Sequence, residues 1–509
     1  MKHHEEKVVW LSDLRTKGSQ LNASDVVVCF GHFNVIHPGH IRYFQRARSH
    51  GKTLLVAVEG DDLITGAERN HFYPEKERAE AICGLHLVDL VVILDSGTLE
   101  DLIDIVQPAL LVLGKEFKDN YRSRVAAAVG KITEFGGSVV YDAGEIHYST
   151  TELLYGSQSQ IEEERWDQFN GLLNNHGIVL RELVDRVRKA EKPKILVVGD
   201  TIVDRYVACD PLGMSNEAPV VVVKELDSKD FIGGAAIVAA HIRALGANCD
   251  FISVIGADNE GRIVKRELQD YGVVNHLFED PSRPTTLKLR YMVENQKLFR
   301  VSRLQDSAVG NEIENQIIRR IEDLVPNIDG IVVSDFVYGV VSGKVLECLS
   351  KISTQYDIPL FGDLQCSSQI GDFLKFKDFY LLSPTEREAR IALRNQDDGV
   401  ERVANMLIEK TNTKNLILKL AGDGFIAYSH DIHERYSEKE YFPALSANPI
   451  DVTGAGDSLL ATTAMLMAGG FNLIEASIVG TCIASVAVQT VGNMPITLDK
   501  LDSMIVEGN

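Results

Sequence analysis

Positive charge is in short supply in this chain. Its 509 residues hold 52 lysines and arginines against 73 aspartates and glutamates, a net charge of −21. That balance argues against a nucleic-acid partner, which would call for a basic face. Any phosphorylated ligand would therefore have to be held locally, by backbone amides and a few basic side chains. Cysteine is also sparse: there are seven, scattered and with no CxxC pair. Such a set fits reduced thiols better than a disulfide framework or a zinc site. No apolar run approaches the ~20 residues that span a bilayer. The opening MKHHEEKVVWLSDL lacks the apolar stretch of a signal peptide. The expected setting is cytoplasmic, with no membrane partner.

What is present is ordinary globular composition, 45% hydrophobic and 25% charged, in a chain long enough for two or three domains. Over residues 24–155, the runs DVVVCF, TLLVAV, DLVVIL, ALLVLG and GSVVYD alternate with helical patterns. They read as buried strands of a parallel α/β sheet. Residues 156–192 are charged and helix-favouring and read as a helical connector ending at Pro193. A second strand–helix series opens with KILVVGD and runs through FISVIGA, GIVVSDF, IPLFGDL, DFYLLSP and NLILKLAGDG. It makes 193–509 one large α/β domain that closes on helices after Asp451.

The first chemical constellation follows the strand VVVCF, in GHFNVIHPGHIRYFQRA. His37 and His40, three residues apart, face one way at a helix start, and Pro38 suits the first helical turn. Gly31 lets a ligand approach the backbone. A helix N-terminus after a parallel strand attracts phosphate, and two imidazoles there can donate to a phosphoryl group as its charge builds. Alone, such a pair serves equally well as a cap or as metal ligands. The segment resembles the GxFDxxHxGH signature of the nucleotidyltransferase superfamily. EKERAEAICGLHLVDLVVIL, DLIDIVQPALLVLGKEF and HYSTTELL are similar to later segments of that superfamily, in the same order. The resemblance implies a Rossmann-like fold, with Gly31, His32, Phe33, Arg78, Ser149, Thr150 and Thr151 around a nucleotide. It implies catalysis by His37 and His40, with ATP or CTP as the nucleotide. Asn34 stands where the signature has aspartate. Leu113 stands where it has lysine, with Lys115 two positions further on.

The second constellation is PIDVTGAGDSLLATTAML. Gly454, Ala455 and Gly456 present backbone N–H groups at a helix start, a nest for charge on a transferring phosphate. Asp457 is placed to take a proton from a substrate hydroxyl. DVTGAGDS resembles the C-terminal signature of ribokinase-like, PfkB-type sugar kinases, and DFIGGAAIVAAHIRALGA resembles their N-terminal one. KILVVGDTIVDRYV, SNEAPVVVVK, RPTTLKLRYMVENQKLFRV and VVSDFVYG are most similar to the kinase half of bacterial bifunctional heptose-phosphate kinase/nucleotidyltransferases.

That likeness implies a ribokinase-like domain with a small β lid. It places sugar at Asp204, Gly233 and Gly234, ATP near Gly422 and Gly424, and Glu388 where it helps organise Mg²⁺ and phosphate. It implies pairing of two copies through the kinase domain. Three positions depart from the family's pattern: Thr385 for asparagine, Gln365 for lysine and Tyr338 for lysine. Both halves of the family are found here in reversed order. The expectation is an enzyme that phosphorylates a sugar phosphate and activates a sugar 1-phosphate, with ATP and Mg²⁺, toward an ADP-heptose-like product. A kinase/cytidylyltransferase for another sugar or polyol stays open. So does a regulatory protein with one inactive head.

Overall fold

In a computed structural model of the chain, the residues described are 7–17, 25–34, 36, 38–48, 50–51, 53–64, 73–85, 87–114, 123–143, 158–215, 217, 220–293, 296–365, 371–429, 438–446 and 448–502. The chain divides into two units, Met1–Gly156 with Asn395–Val403, and Ser157–Arg394 with Ala404–Asn509.

The first unit is built on strands β1 (Val8–Trp10), β2 (Val26–Gly31), β3 (Thr53–Glu59), β4 (Leu90–Leu94), β5 (Leu110–Gly114) and β6 (Ser138–Ala143). They form one sheet in the order β1-β4-β3-β2-β5-β6, every neighbouring pair parallel. The period-2 alternation of each strand divides its side chains between two cores. Val26, Val28 and Phe30 pack with Leu102, Ile103 and Ile132 on one face. Val27 and Cys29 pack with Phe44, Ala47, Ala79 and Ile82 on the other. Each fully buried aliphatic side chain stabilises by about 1.5–3 kcal/mol, which is why the strands read as unbroken apolar runs. Strands β2, β3 and β4 step one way across the sheet, and β5 and β6 lie on the far side of β2. The reversal opens a crevice beyond the carboxyl end of β2, the place where doubly wound sheets bind ligands. Strand β1 extends the sheet before residue 24, the expected start of the domain. With only three residues, it left no alternation to detect.

The second unit holds β7 (Lys194–Gly199), β8 (Thr201–Met214), β9 (Val221–Gly234), β10 (Asn248–Ile255), β11 (Val274–Glu279), β12 (Thr286–Val293), β13 (Gln296–Arg303) and β14 (Gly330–Asp335). It continues with β15 (Leu360–Leu364), β16 (Leu381–Leu382), β17 (Asn415–Lys419), β18 (Phe425–Ser429) and β19 (Glu438–Phe442). The main sheet runs β11-β10-β7-β14-β15-β16-β17-β18-β19. It is parallel from β11 to β17 and antiparallel at its last two pairings. A smaller sheet, β13-β12-β8-β9, stands apart from it as a lid. The helices Ala235–Ala244, Ala455–Ala468 and Leu473–Ala487 are rich in small residues and lie inside the core.

The segment expected to be a connector forms the helices Gln158–Asn175 and Leu180–Lys189. Phe169, Leu172, Leu173, Leu183, Val184 and Val187 on those helices belong to the core of the second unit. Their polar faces gave the segment its linker-like composition, and their apolar stripes attach it to the kinase-like sheet. Six cysteines fall among the described residues and all are free thiols; Cys366 lies outside them. Among the described residues, no helix is long and apolar enough to cross a membrane.

Candidate active sites

In the second unit, the carboxyl ends of four parallel strands converge. Asp200 follows β7, Asp335 ends β14, Asp363 lies in β15 and Lys419 ends β17. Beside them is a cavity of about 480 Å³. Its polar lining includes Asp204, Lys288, Arg290, Glu388, Lys419 and Asp457. Strand alternation brings the two lid cations in together. Lys288 and Arg290 are two apart on β12, so they share a face, and only 4% and 8% of each is exposed.

Asp457 lies in the first turn of the helix Ala455–Ala468 and is 5% exposed. The Gln365 amide donates to its Oδ1 at 3.0 Å. Burial, and then the nearby Asp363, push its pKa up to about 7; Asp204 adds to the rise, while Lys419 and Lys288 oppose it. A carboxylate poised near neutrality suits a general base. The helix begins at Gly454, whose φ is +85°. A Cβ there would lie 2.0 Å from Asn493 Oδ1, so only glycine turns the chain here.

The loop ahead of this helix is anchored through Asp451. That carboxylate accepts from the Thr453 hydroxyl at 2.7 Å, the Thr453 N–H at 3.1 Å and Lys297 Nζ at 3.1 Å. Tyr206 also donates to it. Burial alone would raise its pKa, but these donors outweigh it and hold the pKa down at about 2.

Asp204, on β8, pairs with Arg290 and accepts from Asn493 Nδ2 at 3.4 Å. A Cβ on Gly233 would lie 2.4 Å from Asp204 Oδ2, so that glycine makes room for the carboxylate. Gly234 lines the cavity beside it. Lys288 stacks over the rings of Phe336 and Tyr338, at 5.2 and 5.5 Å. Tyr338 is buried and its hydroxyl finds no partner among the described residues. Thr385 caps the helix Glu386–Leu393 in a reciprocal capping box with Glu388. Gly422 and Gly424 lie on the turn after β17, also on the cavity wall. Arg165, from the first of the supposed connector helices, donates to the carbonyls of Gly422 and Ser446 at 2.9 and 2.8 Å.

Lys288, Arg290, Asp363, Lys419 and Asn493 were not singled out from the sequence. For the first pair, the i, i+2 spacing of two cations inside an apolar strand was a usable signal. Asn493 meets Asp204 only through tertiary structure. Among the described residues, no group of three or more histidines, cysteines or carboxylates could hold a metal ion. The Glu388 carboxylate on the cavity wall is an oxygen donor of the kind Mg²⁺ takes alongside phosphate oxygens.

In the first unit, Gly31 ends β2 and the helix Pro38–Arg48 follows beyond the crevice. His32 Nδ1 lies 2.7 Å from Glu59 Oε2. Phe33 is buried, and its ring meets that of His40 edge-on at 5.1 Å, which orients the imidazole. Asn34 accepts from the Tyr73 N–H at 2.7 Å. Arg78, expected to meet nucleotide phosphate, is turned inward instead. Its guanidinium side chain is 0% exposed. It donates to the carbonyls of Tyr73, His32 and Glu59 at 2.8, 2.7 and 2.8 Å, and to Asp61 at 2.6 Å. With at most five N–H donors, it fastens the walls of the crevice. Leu113 is buried in the sheet core. His37, Lys115, Ser149, Thr150 and Thr151 lie outside the described residues.

Comparison with known proteins matches both units. Residues 192–500 match the description pfkB family carbohydrate kinase, and residues 28–154 match cytidylyltransferase-like. The chain is 31% identical over 316 residues to bifunctional protein HldE of Campylobacter jejuni, covering 62% of this chain and 65% of that protein. It is 30% identical over 317 residues to bifunctional protein HldE of a Nitratiruptor species, covering 61% and 64%. The chain thus matches just under two thirds of the length of these curated relatives. The crystal structure of phosphofructokinase-2 from Escherichia coli, in complex with substrates and products, aligns at a TM-score of 0.50 and 18% identity. That alignment covers 62% of this chain and 99% of that one, and it shows a shared fold. The expected fold classes hold: α/β in both units, cytidylyltransferase-like first and ribokinase-like PfkB second.

Proposed function

Because the chain belongs to the pfkB family of carbohydrate kinases, we propose that it is a bifunctional transferase whose two heads act on phosphorylated sugars. The second unit moves the γ-phosphoryl group of ATP onto a hydroxyl of a sugar phosphate. The first unit joins a sugar 1-phosphate to a nucleoside monophosphate drawn from ATP or CTP and releases pyrophosphate. The product is a nucleotide-activated sugar of the ADP-heptose type. The observation that carries this reading is Asp457, buried at a helix N-terminus on a cavity that also holds two lid cations.

In the kinase head, Asp204, with Gly233 and Gly234 beside it, orients the sugar hydroxyls. Lys288 and Arg290 supply the positive charge that a phosphorylated acceptor requires. Asp457 takes the hydroxyl proton as the new O–P bond forms. The N–H groups of Gly454, Ala455 and Gly456 receive charge on the moving phosphoryl group. Gly422 and Gly424 flank the nucleotide. Glu388 would help hold Mg²⁺, which would supply charge neutralisation for the ATP phosphates. In the transferase head, His37 and His40 meet the phosphate under attack. Gly31, His32, Phe33 and the hydroxyls of Ser149, Thr150 and Thr151 hold the nucleotide.

The lid exposes Met214, Val221, Leu226 and Phe299, and a second copy of the chain is the partner we assign to it. A cytoplasmic setting, where ATP and sugar phosphates are at hand, suits both reactions. The test is to supply the full chain with ATP or CTP and a panel of sugar phosphates, heptose phosphates among them. Sugar bisphosphate, nucleotide sugar and pyrophosphate are then resolved by anion exchange. No transfer to any sugar phosphate overturns the reading. Leu113, buried where the nucleotidyltransferase pattern has lysine, favours one alternative, an inactive first head. Nucleotide binding without pyrophosphate release would identify it.

A further inference from the structure

The cavity of the second unit receives positive charge from two directions. Lys288 and Arg290 come from the lid strand β12, and Arg290 is already paired with Asp204. Lys419 comes from the opposite side, at the end of β17. The four residues before it are buried, so the backbone that carries it is fixed in the sheet.

Its ammonium lies 2.9 Å from Asp363 Oδ2. Strand β16 between them has only two residues, which lets the ends of β15 and β17 reach one another beyond it. A Cβ placed on Gly456 would sit 3.3 Å from Lys419 Nζ. The ammonium therefore rests against the backbone that opens the helix Ala455–Ala468, beside Asp457. Asp363 is buried, and its second oxygen, Oδ1, has no hydrogen-bond partner among the described residues. An ammonium has three donors, of which Asp363 takes one. A lysine, the N-terminus of a 14-residue helix and the base Asp457 thus converge on one spot of the cavity wall.

We propose that Lys419 is the cation that contacts the transferring γ-phosphoryl group. The proposal rests on the kinase reading of this unit. The acceptor hydroxyl oxygen bonds to the γ-phosphorus. The bond from that phosphorus to the β,γ-bridging oxygen breaks, the hydroxyl proton passes to Asp457, and ADP leaves. Lys419 exchanges no atom; it holds the equatorial oxygens while charge shifts across them. Gln365, two residues after Asp363, spends its amide on Asp457 instead. The lysine of this site therefore comes from a different strand than the sequence resemblance leads one to expect.

The test is Lys419→Met in the full chain, with the kinase reaction reporting on its own site. We expect the kcat for ATP-dependent phosphorylation to fall by about 10²-fold or more, as for loss of one preorganised donor. The constant for competitive inhibition by ADP, which lacks the γ-phosphate, should change by less than about twofold by the same reasoning. Parallel weakening of ADP, or a kcat within about threefold of wild type, overturns the proposal. Lys419→Met also leaves Asp363 without its counter-ion, so a second variant guards against misfolding. Gln365→Lys in the Lys419→Met background restores an ammonium from the neighbouring position. It should recover at least about tenfold in kcat over the single variant, and no recovery in a folded double variant counts against the proposal. If the wild-type chain phosphorylates no sugar phosphate at all, the kinase reading itself has failed and this proposal falls with it.

Discussion

Kinase activity should titrate with Asp457. Its carboxyl is held at about 7 by burial and by Asp363, with a smaller push from Asp204; Lys419 and Lys288 pull the other way. Gln365 is its neutral neighbour. The base works only when ionised, so activity is lost as pH falls through that value. About one-tenth of the enzyme is competent at pH 6 and about nine-tenths at pH 8, roughly a tenfold rise in kcat/KM at saturating Mg²⁺.

The same shift has a consequence for folding. The folded pKa lies above the ordinary 3.8, so the folded state binds the proton more tightly than the unfolded chain does. Stability is therefore greatest at low pH as far as this group is concerned, and falls as pH rises from about 4 to about 7. The cost above pH 7 is ~4 kcal/mol, from about 1.4 kcal/mol for each pH unit between the two values. Asp457→Asn removes that cost. At pH 8 its second unit should melt several degrees above wild type, while phosphorylation falls by at least about 10²-fold and loses its pH limb. A wild-type rate that is flat from pH 6 to 8 refutes the assignment. So does an Asp457→Asn variant that melts below wild type at pH 8.

Many of the parallel strands were legible because the two main sheets are covered on both faces. Their strands had to be continuous apolar runs, and the runs stood out. The two glycine-rich segments were legible for a related reason, since close backbone approach admits few residue types. The misreadings came from side chains whose partners are distant in sequence. Arg78 reads as a phosphate ligand until the carbonyls of His32 and Glu59 are seen to close over it. Lys419 and Asp363 are 56 residues apart, and only sheet order makes them neighbours. Thr385 is a local case: its capping-box partner Glu388 is only three residues on, a spacing the sequence itself carries. The connector misled because its solvent-facing charge outnumbers the six apolar residues that fix it in place.

Further outcomes follow for both units. His40→Ala should cut pyrophosphate release by about 10²–10³-fold and leave sugar phosphorylation unchanged; equal loss of both activities would contradict separate heads. Arg78→Met should destabilise the first unit by at least ~3 kcal/mol, because three carbonyls lose their donor. If that variant melts like wild type and only its nucleotide affinity drops, Arg78 is a ligand after all. The boundary of the second unit can be tested by truncation. A fragment beginning at residue 157 keeps the helices Gln158–Asn175 and Leu180–Lys189, whereas one beginning at 193 removes them. The shorter fragment loses six buried side chains from the core: Phe169, Leu172, Leu173, Leu183, Val184 and Val187. At about 1.5–3 kcal/mol each, that is on the order of 10 kcal/mol, as large as the whole stability of an ordinary domain. It also strips Arg165 from the carbonyls of Gly422 and Ser446 on the cavity wall. The fragment 157–509 should therefore be soluble and should bind ATP, while 193–509 should aggregate or melt far lower. Equal solubility and equal melting temperatures for the two fragments would show that these helices are a dispensable connector.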